Sequence, residues 1–311
     1  MRIFTKKIKI LKIEIKTVST NKIDALKIKA MKSMFEGREV IIATKHQKEK
    51  VIAPILEKEL GVRCFTDLCF DTDLLGTFTG EVERDLDPIS TVREKCLMAI
   101  QISNCDMAIA SEGSFGPHPS LFFIHADEEF LIFIDAKNNI EVIVRELSTS
   151  TNFNGKEIQS LKELVSFAEE IGFPEHGLIL RKSKSGNSEI YKGITEKETL
   201  IKTFEQLFSK YNSVYVETDM RAMHNPSRMN VIELATQKLV EKIKSCCPKC
   251  QMPGFGITDA KKGLQCSLCG SPTNSILSFI STCQHCQYTK EDMYPNQKTE
   301  EDPTFCNYCN P

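Results

Sequence analysis

Eight cysteines near the end of the chain fall into four Cys-x-x-Cys pairs: Cys247/Cys250, Cys266/Cys269, Cys283/Cys286 and Cys306/Cys309. A Cys-x-x-Cys turn presents two thiolates from one tight loop. Two such turns complete a tetrahedral set of four sulfurs, which suits zinc. Fifteen residues separate Cys250 from Cys266 and nineteen separate Cys286 from Cys306, within or close to zinc-ribbon spacing. The expectation is two structural zinc ions in residues 245–311, ligated in sequence order as two successive ribbons. An interleaved cross-brace is the alternative that spacing allows. Cys246 and His285 are spare in either scheme. This segment has few large aliphatic residues and cannot bury enough apolar surface to fold alone. Metal binding, at about 10–16 kcal/mol per structural zinc, would then be its folding energy.

Four polar segments follow apolar runs, which is where α/β folds place their sites. The first is Thr44-Lys45-His46-Gln47-Lys48, a hydroxyl and two ammonium groups at a helix start, suited to an anion and equally to an ordinary basic helix start. The second runs from Glu81 to Asp87 and on to Thr91, Arg93 and Lys95; acids opening a helix are also plain dipole compensation. The third, Ser111 to Pro119, combines Glu112, Ser114 and His118 with two glycines and two prolines. The fourth, Glu217 to Arg228, contains Arg221 and His224, with helix capping as its bland explanation.

The elements that must position these groups alternate. Val40–Ala43 reads as a buried strand, and Val51, Ile52, Ile55, Leu56 and Leu60 share one helical face. Pro54 requires that helix to start late. Val62–Phe65 is a second strand, and a helix begins near Pro88. Met107–Ala110 is a strand that ends in the polar loop at Ser111. Leu121–His125, Phe130–Asp135 and Ile140–Arg145 read as an antiparallel meander broken by Asp127-Glu128-Glu129 and Lys137-Asn138-Asn139. A helix carries Ile158 to Ala168, Thr195 and Glu198 form a capping box, Val214–Glu217 is a strand, and Val231–Ile243 a last amphipathic helix. The expected architecture is an α/β mixed-sheet domain over 34–244, followed by a small zinc-ribbon-like module at 245–311.

The chain has 311 residues and a net charge of −2, but residues 1–33 carry ten Lys/Arg against two acids, or +8. Such an arm suits nucleic acid or anionic lipid; it also reads as a disordered tail, or as sequence upstream of a natural start at Met31 or Met34. Residues 245–311 hold five lysines against six acids, a poor balance for phosphate binding, so the tail points to a protein partner or a structural role more than to nucleic acid. No run approaches the ~20 apolar residues of a membrane span. Clustered cysteines without a secretory signal indicate a cytoplasmic protein.

The order strand–Ala-Thr-Lys-His-x-Lys–helix, then Asp87…Thr91-Val-Arg-Glu-Lys95-Cys, then Asp106-Met-Ala-Ile-Ala-Ser-Glu112-Gly113, resembles the inosine/xanthosine triphosphate pyrophosphatases and their Maf-like relatives. Glu146-Leu147 and the segment His224 to Arg228 extend the resemblance over about 38–244. The chain departs from the pattern at His46, Cys96 and Ser114, where that family has Asn, Ala and Gly. Met34-Phe-Glu-Gly-Arg-Glu-Val and Ser111-Glu-Gly-Ser-Phe-Gly-Pro-His-Pro also resemble a bacterial family, a domain of unknown function, that joins such a domain to a cysteine-rich tail. The first resemblance implies a metal-dependent nucleoside triphosphate pyrophosphohydrolase, or a nucleotide-binding descendant. Lys45, Lys48 and Thr44 would bind phosphates, with His46, Ser111 and Ser114 beside them. Glu112 and Asp87 would hold Mg²⁺, and Lys95 or Arg93 would stabilise leaving pyrophosphate. His118, Arg221, His224 and Arg228 would read base or ribose. The alternative is a non-catalytic zinc-ribbon protein binding a partner protein or nucleic acid.

Overall fold

The computed structural model describes residues 33–67, 87–184 and 189–311. The basic arm, the glycine loop around Gly76 and Gly80, and Glu81 to Leu86 of the acidic segment lie outside the described residues. Gly37–Val240 forms one compact unit, and Glu241–Pro311 belongs to another.

In the first unit, β1 (Glu39–Ala43), α1 (Glu49–Leu60), β2 (Arg63–Phe65), α2 (Pro88–Ser103), β3 (Met107–Pro117), β4 (His125–Asp135) and β5 (Ile140–Ser148) build a five-stranded sheet. Its order is β2-β1-β3-β4-β5. β1 pairs in parallel with β2 and β3, and β3–β4–β5 is antiparallel. The apolar residues of β1 are buried on both faces, as a strand in a parallel sheet requires. α2 starts where Asp87 accepts from the Ile89 and Ser90 amides at 3.0 and 3.1 Å, with Pro88 at its first position. It buries Val92, Cys96 and Ala99 against Ile41, Ala43, Ala108, Ala110 and Ile132.

A second sheet, in order β6-β9-β7-β8, is formed by β6 (Gly155–Ile158), β7 (Leu178–Arg181), β8 (Ile190–Ile194) and β9 (Val214–Thr218). The amphipathic helices α3 (Leu161–Ile171) and α4 (Lys197–Tyr211) pack Leu164, Phe167, Leu200, Phe204 and Leu207 on Leu178, Leu180, Val214 and Val216. α5 (Pro226–Lys244) follows a short 3₁₀ turn at Ala222–His224.

Several expectations need correction. Ser111–Pro117 is the second half of β3, not a loop, and Asp127–Glu129 lie inside β4, not between strands. The eleven residues from Met107 to Pro117 pair in unbroken register with Asp135 back to His125. Polar side chains can occupy a sheet when they are paired, as Glu112 is with Lys95 and Ser114 with Glu128; Asp127 is the exception. Leu121 to Ile124 belong to the connecting loop. Ile158 ends β6 before α3 begins. Capping is found at α3, where Ser160 Oγ accepts the Glu163 amide and the Glu163 carboxylate accepts the Gln159 amide; at α4 the N-cap is Glu196, whose side chain makes no capping bond. Pro54 sits inside α1, which starts earlier than expected.

Candidate metal centres and a buried charged cluster

The tail has three antiparallel strands, β10 (Gly256–Lys262), β11 (Ile276–Thr282) and β12 (Thr289–Met293), in order β10-β11-β12. Each strand carries the chain from one end of the sheet to the other. The Cys247 and Cys283 knuckles therefore meet at one end, and the Cys266 and Cys306 knuckles at the other. The four-thiol groups are Cys247/Cys250/Cys283/Cys286 and Cys266/Cys269/Cys306/Cys309. This interleaved cross-brace corrects the expectation of two successive ribbons. Sequence-order pairing would require β10 to fold back on itself instead of crossing the sheet.

The donor set fits zinc. Four thiolates at 2.3 Å from a central ion form a tetrahedron with edges of ~3.8 Å. The Sγ···Sγ separations are 3.7 Å for Cys247–Cys286, 3.5 Å for Cys250–Cys283, 3.9 Å for Cys266–Cys309 and 3.6 Å for Cys269–Cys306. The knuckles also supply amide donors: Lys249 N–H to Cys247 Sγ and Leu268 N–H to Cys266 Sγ, both at 3.4 Å. Burial opposes ionisation of Cys247, yet the Cys250 and Lys249 amides and neighbouring thiols bring it down to about 7. These are two Cys₄ clusters that can hold metal ions.

The α/β unit gathers a second constellation where β1 stops. Ala43 pairs with Ala110, the last β1–β3 partner, so β3 runs on past the end of β1. Lys48, at the start of α1, is 6% exposed. Its Nζ donates to Ser111 Oγ at 2.8 Å and lies 3.4 Å from the Ser111 carbonyl.

Strand alternation separates the neighbouring groups by face. Glu112 follows Ala108 and Ala110 toward α2, where Lys95 meets it at 2.5 Å, both side chains buried. On the opposite face Ser111, Gly113 and Phe115 stand across from Leu131, Glu129 and Asp127. Arg228 reaches this face from the first turn of α5, which Asn225 caps by accepting the Arg228 N–H at 3.0 Å. Its guanidinium binds Glu129 at 2.6 Å and the Met220 carbonyl at 2.6 Å, and stacks 5.0 Å above the Phe115 ring. Gly113 has no side chain for a reason: a Cβ there would lie 2.6 Å from Arg228 Nη2 and closer still to Glu129 Oε1.

Asp127 is 1% exposed, and neither carboxylate oxygen has a hydrogen-bond partner among the described residues. Burial, with Glu129 beside it, pushes its pKa up to about 8, against the pull of Arg228 and Lys48. Burial and the Arg228 charge lower Lys48 to about 8, while Glu129 and Glu112 act the other way. Lys48 at the β1 edge thus senses both faces. Lys48 follows the carboxyl end of β1, and Asp127 and Glu129 lie near the start of β4; perturbed ionisable groups gathered in this way make the cluster a candidate site.

Other expected residues are placed separately. Asp87 spends its carboxylate on capping α2 and Ser90. Arg93 binds Glu141 at 2.8 Å. Ser114 donates to Glu128 at 3.3 Å. His118 Nδ1 accepts the Ser120 and Leu121 amides, each at 3.1 Å, which closes the β3–β4 loop. Arg221 is held by the buried Asp219 at 2.6 Å, with His224 beside it over Gly193. Burial lowers the His224 pKa, partly offset by Asp219. Thr44, Lys45 and His46 lie on the turn after β1, where Thr44 Oγ1 accepts the His46 amide at 3.3 Å. Sequence reasoning missed Asp127, Glu129 and Asp219. Counting back by twos from Phe133 and Leu131 would have put Glu129 and Asp127 on one face of β4.

A family model described as a domain of unknown function, DUF6671, matches residues 95–311. The chain belongs to the DUF6671 family. The match starts at Lys95 and takes in Glu112, Gly113, Asp127, Glu129, Arg228 and all eight paired cysteines. The DUF6671 region therefore includes the charged faces of β3 and β4 as well as the metal module. No curated protein matches the chain. Among the described residues, no helix is long and apolar enough to cross a membrane.

Proposed function

We propose that the α/β unit binds a phosphorylated small molecule of the nucleotide class together with a divalent cation. In this reading it is a metal-dependent nucleoside triphosphate pyrophosphohydrolase or a nucleotide-binding descendant of one. One observation carries it. Lys48 and Asp127 are buried ionisable groups of opposite type within each other's field, yet neither has an ion-pair partner among the described residues, and neither oxygen of Asp127 has a hydrogen-bond partner there. Buried ionisable groups left without partners in this way are costly, and a bound cation at Asp127 with a bound anion at Lys48 would compensate both.

Lys48 and the first-turn amides of α1, which no side chain caps, suit phosphate oxygens. Asp127 and the partner-free Oε2 of Glu129 are hard oxygen donors that suit Mg²⁺, which needs only one or two carboxylates plus phosphates. They replace Asp87 and Glu112, whose carboxylates are committed elsewhere. The ion would neutralise phosphate charge and activate water. Arg228, anchored by Glu129 and Met220, would orient the bound anion, and Arg221 and His224 remain candidates for the base or ribose. The likeness to the inosine/xanthosine triphosphate pyrophosphatases rests on the short motifs and supports the substrate class alone. Structural zinc in both Cys₄ clusters, and the reducing cytoplasm that thiolates need, complete the reading.

The test is a thermal-shift and product-release survey of standard and deaminated nucleoside triphosphates with Mg²⁺. At least one should stabilise the protein and release pyrophosphate. Lys48→Met should abolish the shift, and Asp127→Asn should abolish its metal dependence. A shift without product would select the non-catalytic nucleotide-binding form. Neither shift nor product with any of them would end the reading.

A further inference from the structure

The four cysteine knuckles share one backbone frame. In each, the amide four residues after the first cysteine donates to that cysteine's carbonyl: Gln251, Gly270, Gln287 and Asn310, at 2.9, 2.9, 2.9 and 2.8 Å. Equivalent positions can therefore be compared. The residue before the second cysteine is Lys249 or His285 at the first cluster, both exposed and polar. At the second cluster it is Leu268, 73% exposed, or Tyr308, 77% exposed; Phe305, just before Cys306, is 63% exposed. The two knuckles of one cluster thus present three large apolar side chains to solvent, and those of the other present none.

We infer that the second Cys₄ cluster is a docking surface for a protein partner, one offering an apolar pocket bordered by lysine or arginine. The module also exposes Ile257, Met293 and Tyr294, but only at the second cluster do two knuckles concentrate large apolar side chains, as interaction surfaces do. The acidic character of the surroundings selects the partner. Glu300 and Asp302 are exposed beside Phe305, and the nearby cation Lys298 is bound to Glu301 at 3.2 Å. Aromatic side chains that stack on nucleic-acid bases need an excess of cations for the phosphates, and the segment 298–302 leading to Phe305 carries one lysine against three acids. An anionic lipid surface is repelled for the same reason. A second copy in two-fold contact would set the acidic rims against each other. A basic-rimmed protein pocket satisfies both the apolar tips and the acids. This inference is independent of the nucleotide reading.

The experiment uses the metal-loaded full chain with a photo-crosslinking phenylalanine at position 308 or, as the matched control, 285, expressed in its native cells. The expected result is one protein adduct from 308 and none from 285. The purified adduct protein should then bind the full chain in calorimetry, more weakly as salt rises. Leu268→Ser and Tyr308→Ser should each weaken binding roughly tenfold or more, the effect of losing one buried apolar side chain. Both variants should still carry two metals, and Lys249→Ala should bind normally. Adducts with nucleic acid or with a second copy, equal adducts from both positions, or no adduct would each overturn the inference.

Discussion

Arg228 and Glu129 form an ion pair at 2.6 Å in which neither side chain is exposed, although 99 residues separate them in the chain. Such a pair is poor value for stability, because desolvation offsets its attraction. Breaking it from one side leaves a naked buried charge. Arg228→Met should therefore destabilise the protein by about 3–5 kcal/mol in urea denaturation. Arg228→Met with Glu129→Leu should regain most of that loss and still fail to bind nucleotide. A double variant no more stable than the single one would show that the pair is structural.

Gly113 lies directly under this pair. The Cβ of Gly113→Ala would collide with Glu129 Oε1 and Arg228 Nη2, so the pair or the strand must shift. Overpacking of this kind costs about 1–3 kcal/mol. Gly116, whose Cβ would meet nothing within 4 Å, is the control: Gly116→Ala should change the urea midpoint far less. Equal effects would mean that strand backbone freedom, not the ion pair, explains the glycine.

Asp127 and Lys48 should leave opposite marks on the pH dependence of stability. The Asp127 pKa rises from about 3.9 unfolded to about 8 folded. Between those values the folded state keeps a proton the unfolded chain has released, so stability falls as pH rises and levels off above 8. Lys48 falls from about 10.4 unfolded to about 8 folded. Over that window the unfolded chain binds more protons, and stability rises with pH. Together they give a minimum near pH 8. Asp127→Asn should remove the acid-side slope, so that its melting temperature gains on the wild type steadily from pH 5 to 8. Each kcal/mol regained should read as roughly 2–4 °C.

The cross-brace makes metal loss selective. Cys250→Ser and Cys286→Ser should lose the same ion, while Cys269→Ser and Cys309→Ser lose the other. Cobalt substitution and metal counting would show this, and shared loss between Cys250 and Cys269 would restore sequence-order pairing. Full chelation should abolish the β10–β12 circular-dichroism signal while leaving a cooperative transition from the α/β unit, because only the tail draws its folding energy from metal.

Much of this was readable in one dimension. Val40–Ala43 and Met107–Ala110 show as buried strands by composition, Pro88 marks the start of α2, and the cysteine spacing announces two Cys₄ sites, because each signal lies within a few residues of chain. The site in the α/β unit was harder to read. Asp127-Glu128-Glu129 has the composition of a turn, and only the register with Gly113 and Phe115 shows that two of the three acids point inward. His118 and Asp87 looked chemical and proved to hold a loop and a helix.

By itself, then, the sequence determined the ligand chemistry of the tail, the alternation of strands and helices, and the concentration of charge near the strand ends. Tertiary structure decided which cysteines share an ion, and that Lys48 faces Ser111 while Lys95 takes Glu112. It also decided that Arg228 lies over Glu129. The reason is physical: local propensity acts over one or two turns of chain. Pairing across a sheet depends instead on which end each strand reaches, and on which face alternation turns each side chain toward.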